Sequence, residues 1–518
     1  MSNNGIVKKV LRNMLSGWAA SLVRAVIALI MVPFLLSHLG KEGYGIIGLF
    51  MIIVSCVDVA DLGLRSALGR ELAEKNASND KAGFEALSST ALALYTSMAI
   101  VMSLVLWAST PALLSVFRVQ GEYYSVAQWL LPVFGACSIL LAFITPVFVA
   151  GITSFLRYDL VNTVSISIAI IFNFCLFITL PSFPGHAIIV WAAVTILALL
   201  VNLVVLSRIY KKSCYDGRIS MYLVSPGLLR PMFKLGGYMY ALQMTNTLAE
   251  KSNPLIISSF FGPVGVALYQ SGGKVCQMLR PIVMTFANQV YPLTTQCFVL
   301  NQEDKQKKIF LSGSKYTMLF GILVATGVFV YAEPFCKLWL YNELGEDYLI
   351  VSHLMQLLAV VDLTAYARGT QWPILLGMKK LKILVWTQLP SAGINVMASI
   401  DLVRFTNLGL AGVVYPTLVL NLLRLPVLIW YMGRQLKISV THCLKESYLR
   451  PALCLVITFL GAQIARLHID CNTWFELVLA GVMTSVVWGG SLFFVGANNQ
   501  ERSQLIEYAS KWVSTIKA

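Results

Sequence analysis

Residues 187–207 read AIIVWAAVTILALLVNLVVLS, a run without a single charge, entered through Pro184-Gly185-His186 and left through Arg208, Lys211 and Lys212. An α-helix needs about twenty apolar residues to cross the hydrocarbon of a bilayer. Backbone groups in lipid have no water to bond, so only helices and closed barrels span it. A barrel strand would alternate over about ten residues. The length of this run therefore predicts a transmembrane helix.

The same pattern recurs along the chain. Runs at roughly 13–37, 43–64, 87–109, 126–152, 161–180, 187–207, 235–260, 264–298, 311–332, 348–376, 383–403, 410–433, 449–468 and 474–496 predict an all-α integral membrane protein of about fourteen spans. Only 12% of the 518 residues are charged, half the usual share of a soluble protein (about 25%), and mean hydropathy is +0.74. The run at 264–298 contains Lys274, Arg280 and Pro281, and is expected to bend or to extend into the cytoplasm. Lys8, Lys9 and Arg12 before the first run resemble a secretory signal. That run is too long and lacks a small-x-small cleavage site, so a retained first span is expected.

The net charge of +15 would suggest nucleic acid in a soluble protein, but here it sits in short loops. Clusters such as Arg65/Arg70/Lys75/Lys81, Lys305/Lys307/Lys308/Lys315 and Lys379/Lys380/Lys382 alternate with loops holding only Lys41, Arg118, Lys337, Arg404 and Arg466. The positive-inside rule then places both termini in the cytoplasm.

The longest polar connection, 208–234, divides the chain into an N-terminal lobe (1–220, six spans), a C-terminal lobe (221–435, six spans) and a terminal helix pair with a tail (436–518). Leu39-Gly40-Lys41-Glu42-Gly43 after the first span is echoed by Phe261-Gly262-Pro263-Val264-Gly265 after the seventh. Leu408-Gly409-Leu410-Ala411-Gly412 is a third copy. The glycines suit tight outer turns with positive φ. An even number of spans between copies implies lobes related by a pseudo-two-fold axis along the membrane normal.

Ionisable groups at membrane depth are costly and mark function or pairing. Arg24 lies near the centre of the first span. The seventh carries Gln243, Asn246 and Glu250 on one face, with Lys251 adjacent. The eighth carries Gln270, Lys274 and Gln277 on one face, continued by Asn288, with Arg280 flanking. The tenth has Asp362, Tyr366, Gly369 and Pro373 on one face and Arg368 beside it, and on the twelfth Asn421 and Arg424 are a turn apart. Arg24, Lys251, Lys274, Arg280, Arg368 and Arg424 would together line a positively charged, water-filled chamber. A plainer reading stands beside this one. Glu250 and Lys251 would pair with neighbouring helices, Arg280 and Arg424 would snorkel to headgroups, and Asp58, Asp61 and Arg65 would make a structural ion cluster.

No enzyme chemistry emerges. Gly272-Gly273-Lys274-Val275 lacks the spacing of a phosphate-binding loop, and neither HExxH nor GxSxG occurs. The ten cysteines form no CxxC and read as packing residues, and the five histidines sit at span ends or in loops. Neither a cofactor nor a metal is expected.

The second span ends Asp61-Leu62-Gly63-Leu64-Arg65-Ser66-Ala67-Leu68-Gly69-Arg70-Glu71-Leu72-Ala73, preceded by Leu39-Gly40 and Gly43-Tyr44-Gly45. This resembles the "DLGL…A…R…A" and "LG-x-x-x-YG" signatures of the polysaccharide-transport flippases, whose superfamily also holds multidrug antiporters and the peptidoglycan precursor flippase. Asp61, Gly63, Arg70, Gly40 and Gly43 carry the match. The resemblance implies transport across the bacterial inner membrane of an oligosaccharide on undecaprenyl pyrophosphate, as for O-antigen or a related surface polysaccharide. It also implies alternating access and, as partners, a polysaccharide polymerase and a chain-length regulator. The six cations would then screen the pyrophosphate, with Glu250 and Asp362 as candidates for ion coupling.

Two other classes compete. A multidrug antiporter should have an acidic cavity, whereas cations outnumber acids here. A membrane glycosyltransferase, polymerase or ligase should carry a sizeable outer loop, and the outer loops are short. A peptidoglycan precursor flippase would use the same mechanism.

Overall fold

A computed structural model describes residues 3–56, 64–214, 219–300, 302–378, 380 and 382–503. All regular structure among them is helical, and it forms two compact units, Met1–Ser271 with Val385–Val413, and Gly272–Leu384 with Val414–Ala518.

The first unit contains α1 (Asn3–Cys56), α2 (Leu64–Ala77), α3 (Lys81–Val116), α4 (Glu122–Ser154), α5 (Tyr158–Ser182), α6 (Ala187–Ser213) and the first part of α7 (Leu229–Val299), with most of α11 (Lys382–Phe405). The second holds the rest of α7, α8 (Glu303–Leu344), α9 (Tyr348–Ala367), α10 (Gln371–Gly377), α12 (Val414–Leu436), α13 (Val440–Leu444), α14 (Arg450–His468) and α15 (Trp474–Ser491).

Among the described residues, eleven helical stretches are long and apolar enough to cross a membrane. Three of them hold a glycine at positive φ in their interior, and there the chain turns back: Gly40 (φ 68°), Gly262 (φ 65°) and Gly345 (φ 57°). Phe50 would leave the bilayer if α1 ran straight past Gly40, yet it stacks on Phe134 in the middle of α4, with ring centroids 6.0 Å apart. Counting the doubled stretches gives fourteen passes among the described residues. The protein is a multi-pass membrane protein. The eighth span is continuous helix from Pro263 through Pro281 to Val299, roughly 55 Å long, more than a bilayer core needs.

Burial follows lipid logic. On α1, Leu22, Val26 and Ile30 are exposed at one-turn spacing, and on α15 Val482 and Val486 are too. The interior of the first unit is aromatic. Phe134 packs on Trp191 with centroids 5.1 Å apart, and Tyr210 lies against Phe148 and donates its hydroxyl hydrogen to Ser88 Oγ at 3.0 Å.

The signature stretch after the second span is α2, a separate amphipathic helix. Leu64, Leu68 and Leu72 are fully buried on one stripe, Arg65 donates to Ala142 O at 3.3 Å, and Asn76 donates to Ser154 O at 3.0 Å. The start of the long connection is tied to α3, where Ser89 and Thr90 hydroxyls accept the backbone N–H of Ser220 and Ser225.

In the second unit, α14 and α15 dock on α8 through Tyr331. Its hydroxyl contacts Thr484 Oγ1 at 2.7 Å, Ala480 O at 3.2 Å and Ala462 O at 3.4 Å. Trp488 Nε1 donates to Leu319 O at 2.9 Å, and Arg466 pairs with Glu333 at 2.7 Å.

Candidate functional site

In the first unit, Arg24 is exposed on α1, two residues from Leu22 and so about 200° around the helix from the apolar stripe. A hydrogen bond runs from its Nη1 to Ser165 Oγ on α5, at 3.3 Å. Lys251 is half-buried and makes no ion pair among the described residues. Two residues on, Asn253 accepts a 3.1 Å hydrogen bond from Asn395 Nδ2 of α11, both side chains buried. Asp58, Asp61 and Gly63 lie outside the described residues, as do the side chains of Gln243, Asn246, Glu250 and Asn288.

The predicted glycine turns are present. Gly40, Gly262 and Gly409 all have φ near +60°, where a side chain would be strained. Gly45 matters for another reason. A Cβ there would collide with the Pro263 carbonyl, so the first and seventh outer turns meet backbone to backbone. Gly48 is covered by the Gln270 amide in the same way, at 2.7 Å from where a Cβ would stand. A Cβ on Gly43 would lie 3.2 Å from Leu39 Cβ, and Arg70 projects outward from α2.

The second unit separates its cations into two kinds. Arg280 on α7 is neutralised by Asp362 on α9, with Nη2 at 2.5 Å and Nε at 3.0 Å from the same oxygen, Oδ1. Oδ2 of that buried carboxylate has no hydrogen bond among the described residues. Lys274, half-buried on α7, has no ion-pair partner among the described residues, and nor do Arg368 and Arg424.

Arg368 occupies a break. The tenth span is α9 and α10 separated by the turn Arg368-Gly369-Thr370. Small residues of α8 seat this turn. A Cβ on Gly369 would come within 2.8 Å of Thr317 Cγ2, Tyr366 packs against Gly321, and Ser314 Oγ lies 2.6 Å from Thr370 Oγ1. Tyr448 donates to the freed Ala367 carbonyl at 3.0 Å and accepts from Gln371 Nε2 at 3.4 Å. The face of Asp362, Tyr366, Gly369 and Pro373 therefore packs largely on α8, and Arg368 points elsewhere. Its Nε donates to Thr364 O at 3.2 Å and its Nη2 to Asn421 Oδ1 on α12 at 2.8 Å. One turn from Asn421, the buried Nε of Arg424 has no hydrogen-bond partner among the described residues.

Ser314, Thr370, Gln371 and Tyr448 form this break, and the sequence pattern does not single them out. Their only local signal is polarity inside an apolar run.

Solved structures share the fold. A lipid II flippase, MurJ, in an inward closed conformation aligns with a TM-score of 0.69 at 13% identity, covering 93% of this chain and 98% of its own. An inward-facing multidrug resistance MATE family transporter of the MOP superfamily aligns with 0.64 at 16%, covering 83% and 96%. A MOP superfamily transporter from Pyrococcus furiosus, described as having a binding pocket of reverse polarity, aligns with 0.57 at 16%, also covering 83% and 96%. No curated protein matches the chain in sequence. At these identities the likeness is one of fold, but residues 35–353, well over half of the chain, match the model of the polysaccharide biosynthesis protein family, and the chain belongs to that family.

Proposed function

We propose that the chain is an inner-membrane flippase that moves undecaprenyl-pyrophosphate-linked oligosaccharide repeat units, of O-antigen or a related surface polysaccharide, by alternating access. The observation that carries this reading is a set of cations at membrane depth without carboxylate partners among the described residues: Arg24, Lys251, Lys274, Arg368 and Arg424. A charge at the centre of a spanning helix costs about 2.5–3.5 kcal/mol on insertion scales. An anionic cargo is the reason to retain several. Membership of a polysaccharide biosynthesis family supports the sugar, and the lipid tail of such a cargo need never leave the hydrocarbon.

In this reading the unpaired cations screen the pyrophosphate while the six-span lobes, 1–220 and 221–435, are the moving bodies. Glu250 and Asp362 are the groups whose protonation would couple transport to an ion gradient. An exporter of cationic drugs needs free acids, and Asp362, the buried acid of the second unit, is held by Arg280.

The test is a knock-out strain scored for surface polysaccharide and for lipid-linked repeat units on the cytoplasmic leaflet. Loss of the first with accumulation of the second, both reversed by this protein and not by Lys274→Ala, supports flipping. Unchanged polysaccharide with new sensitivity to cationic dyes would turn the assignment toward drug export.

A further inference from the structure

We propose that Arg368 and Arg424 form one anion seat, a two-guanidinium fork at the break of the tenth span that takes the diphosphate group of the cargo. The inference rests on the flippase reading for its ligand, but its geometry stands on its own.

Four observations converge. First, Arg424 is the eleventh residue of the 23-residue helix α12, with more than two turns of helix on either side. From there its side chain cannot reach either headgroup layer, so snorkelling does not account for it. Second, its Nε is buried and has no hydrogen-bond partner among the described residues, where a buried guanidinium N–H normally finds an acceptor. Third, Arg368 does not satisfy itself on an acid. Its Nη2 bonds at 2.8 Å to neutral Asn421, which lies one turn from Arg424 on the same face of α12. Fourth, the site lies at a helix interruption, the usual place where spanning helices of transporters present groups to a ligand.

Two like charges held together in a poorly solvated place are unfavourable unless a ligand is shared between them. The acid one would expect there is absent. Asp362, almost two turns from Arg368 on α9, is tied to Arg280. Arg280 is thus charge-balanced, while the Arg368–Arg424 fork is not. Two planar guanidiniums suit adjoining phosphate oxygens better than a single carboxylate, because each presents parallel N–H donors. Asn421 is the positioning residue that holds Arg368 over α12.

The experiment uses the full chain in lipid nanodiscs, titrated with inorganic pyrophosphate by calorimetry. Wild type should bind, and Arg368→Gln and Arg424→Gln should each weaken binding about tenfold or more, the loss of one charge-assisted contact. Arg424→Lys keeps the charge without the fork and should recover only part of it, which separates recognition from misfolding. Asn421→Ala should weaken binding less, and Lys437→Gln on the surface should not change it. Wild type that fails to bind, or Arg424→Gln that binds as wild type does, overturns the seat. The same variants are scored in the knock-out strain. Loss of binding with full export also overturns the seat as part of transport. If wild type binds pyrophosphate through both arginines but does not clear lipid-linked repeat units, the seat stands and the flippase reading falls.

Discussion

Arg280 on α7 and Asp362 on α9 meet through a single carboxylate oxygen, which receives both Nη2 and Nε while the other oxygen stays unbonded. The pair joins helices whose residues lie 82 positions apart, and it is asymmetric in exposure, with Asp362 4% and Arg280 39% exposed. Arg280→Gln should therefore hurt more than the exposure of the arginine suggests, since it strands a buried carboxylate. We expect a loss of about 1–2 kcal/mol, discounted for solvent around the arginine. Arg280→Gln/Asp362→Asn should recover part of it. Thermal unfolding of the four species in one detergent measures the coupling, and strict additivity would show that the pair does not hold α7 to α9.

The outer turns offer a graded series. Gly45→Ala must push the Pro263 carbonyl away and should destabilise by about 1–3 kcal/mol through overpacking. Gly40→Ala meets no atom within 4 Å but places a Cβ at φ 68°, at a cost of about 1–2 kcal/mol. Gly69, inside α2 with open space around it, should tolerate alanine with a gain of about 0.5–1 kcal/mol. The ranking is read from melting temperatures of purified protein.

Acid should loosen the segment after α15. Glu501 bonds to Lys315 Nζ at 2.5 Å and accepts from the Asn498 N–H at 2.7 Å. Desolvation raises its pKa, but these bonds outweigh it and hold the carboxyl below its ordinary value of 4.5. A lowered folded-state pKa means the stabilisation is complete above that ordinary value and is lost as pH falls through the lower one. Protection of the amides at residues 498–503, taken relative to their intrinsic exchange rate at each pH, should be high at neutral pH and fall in acid. Glu501→Gln should show low protection already at neutral pH and little further loss in acid.

Arg24→Ala should abolish export while leaving the amount of folded protein unchanged, because the side chain is exposed and the polar contact it gives up is a 3.3 Å bond to Ser165. Lys274→Ala should behave alike. Surface polysaccharide and membrane-extracted protein, measured in the same cells, check both; normal export in the two variants would remove these residues from the site.

Much of the membrane fold was legible because its signals are local. A run such as 187–207 needs only its own length, and Gly40, Gly262 and Gly409 mark turns by what they lack. The site was legible only as an inventory of cations. That Arg280 is neutralised while Arg424 is not depends on a partner 82 residues away. The break at Arg368 depends on Ser314, Thr317 and Gly321 of α8, whose small size reads as ordinary membrane-helix composition. Pairings of this kind leave no periodicity to find.

Tyr331 also orders events during synthesis. Its hydroxyl partners lie 131, 149 and 153 residues further along the chain, all on the final helix pair. A ribosome that has just delivered α8 to the bilayer leaves that hydroxyl, with Arg466-seeking Glu333 nearby, waiting until the last hairpin emerges. Until then the Tyr331 hydroxyl lacks these three partners, so α8 cannot satisfy its own polar surface and its final packing must wait for the helix pair.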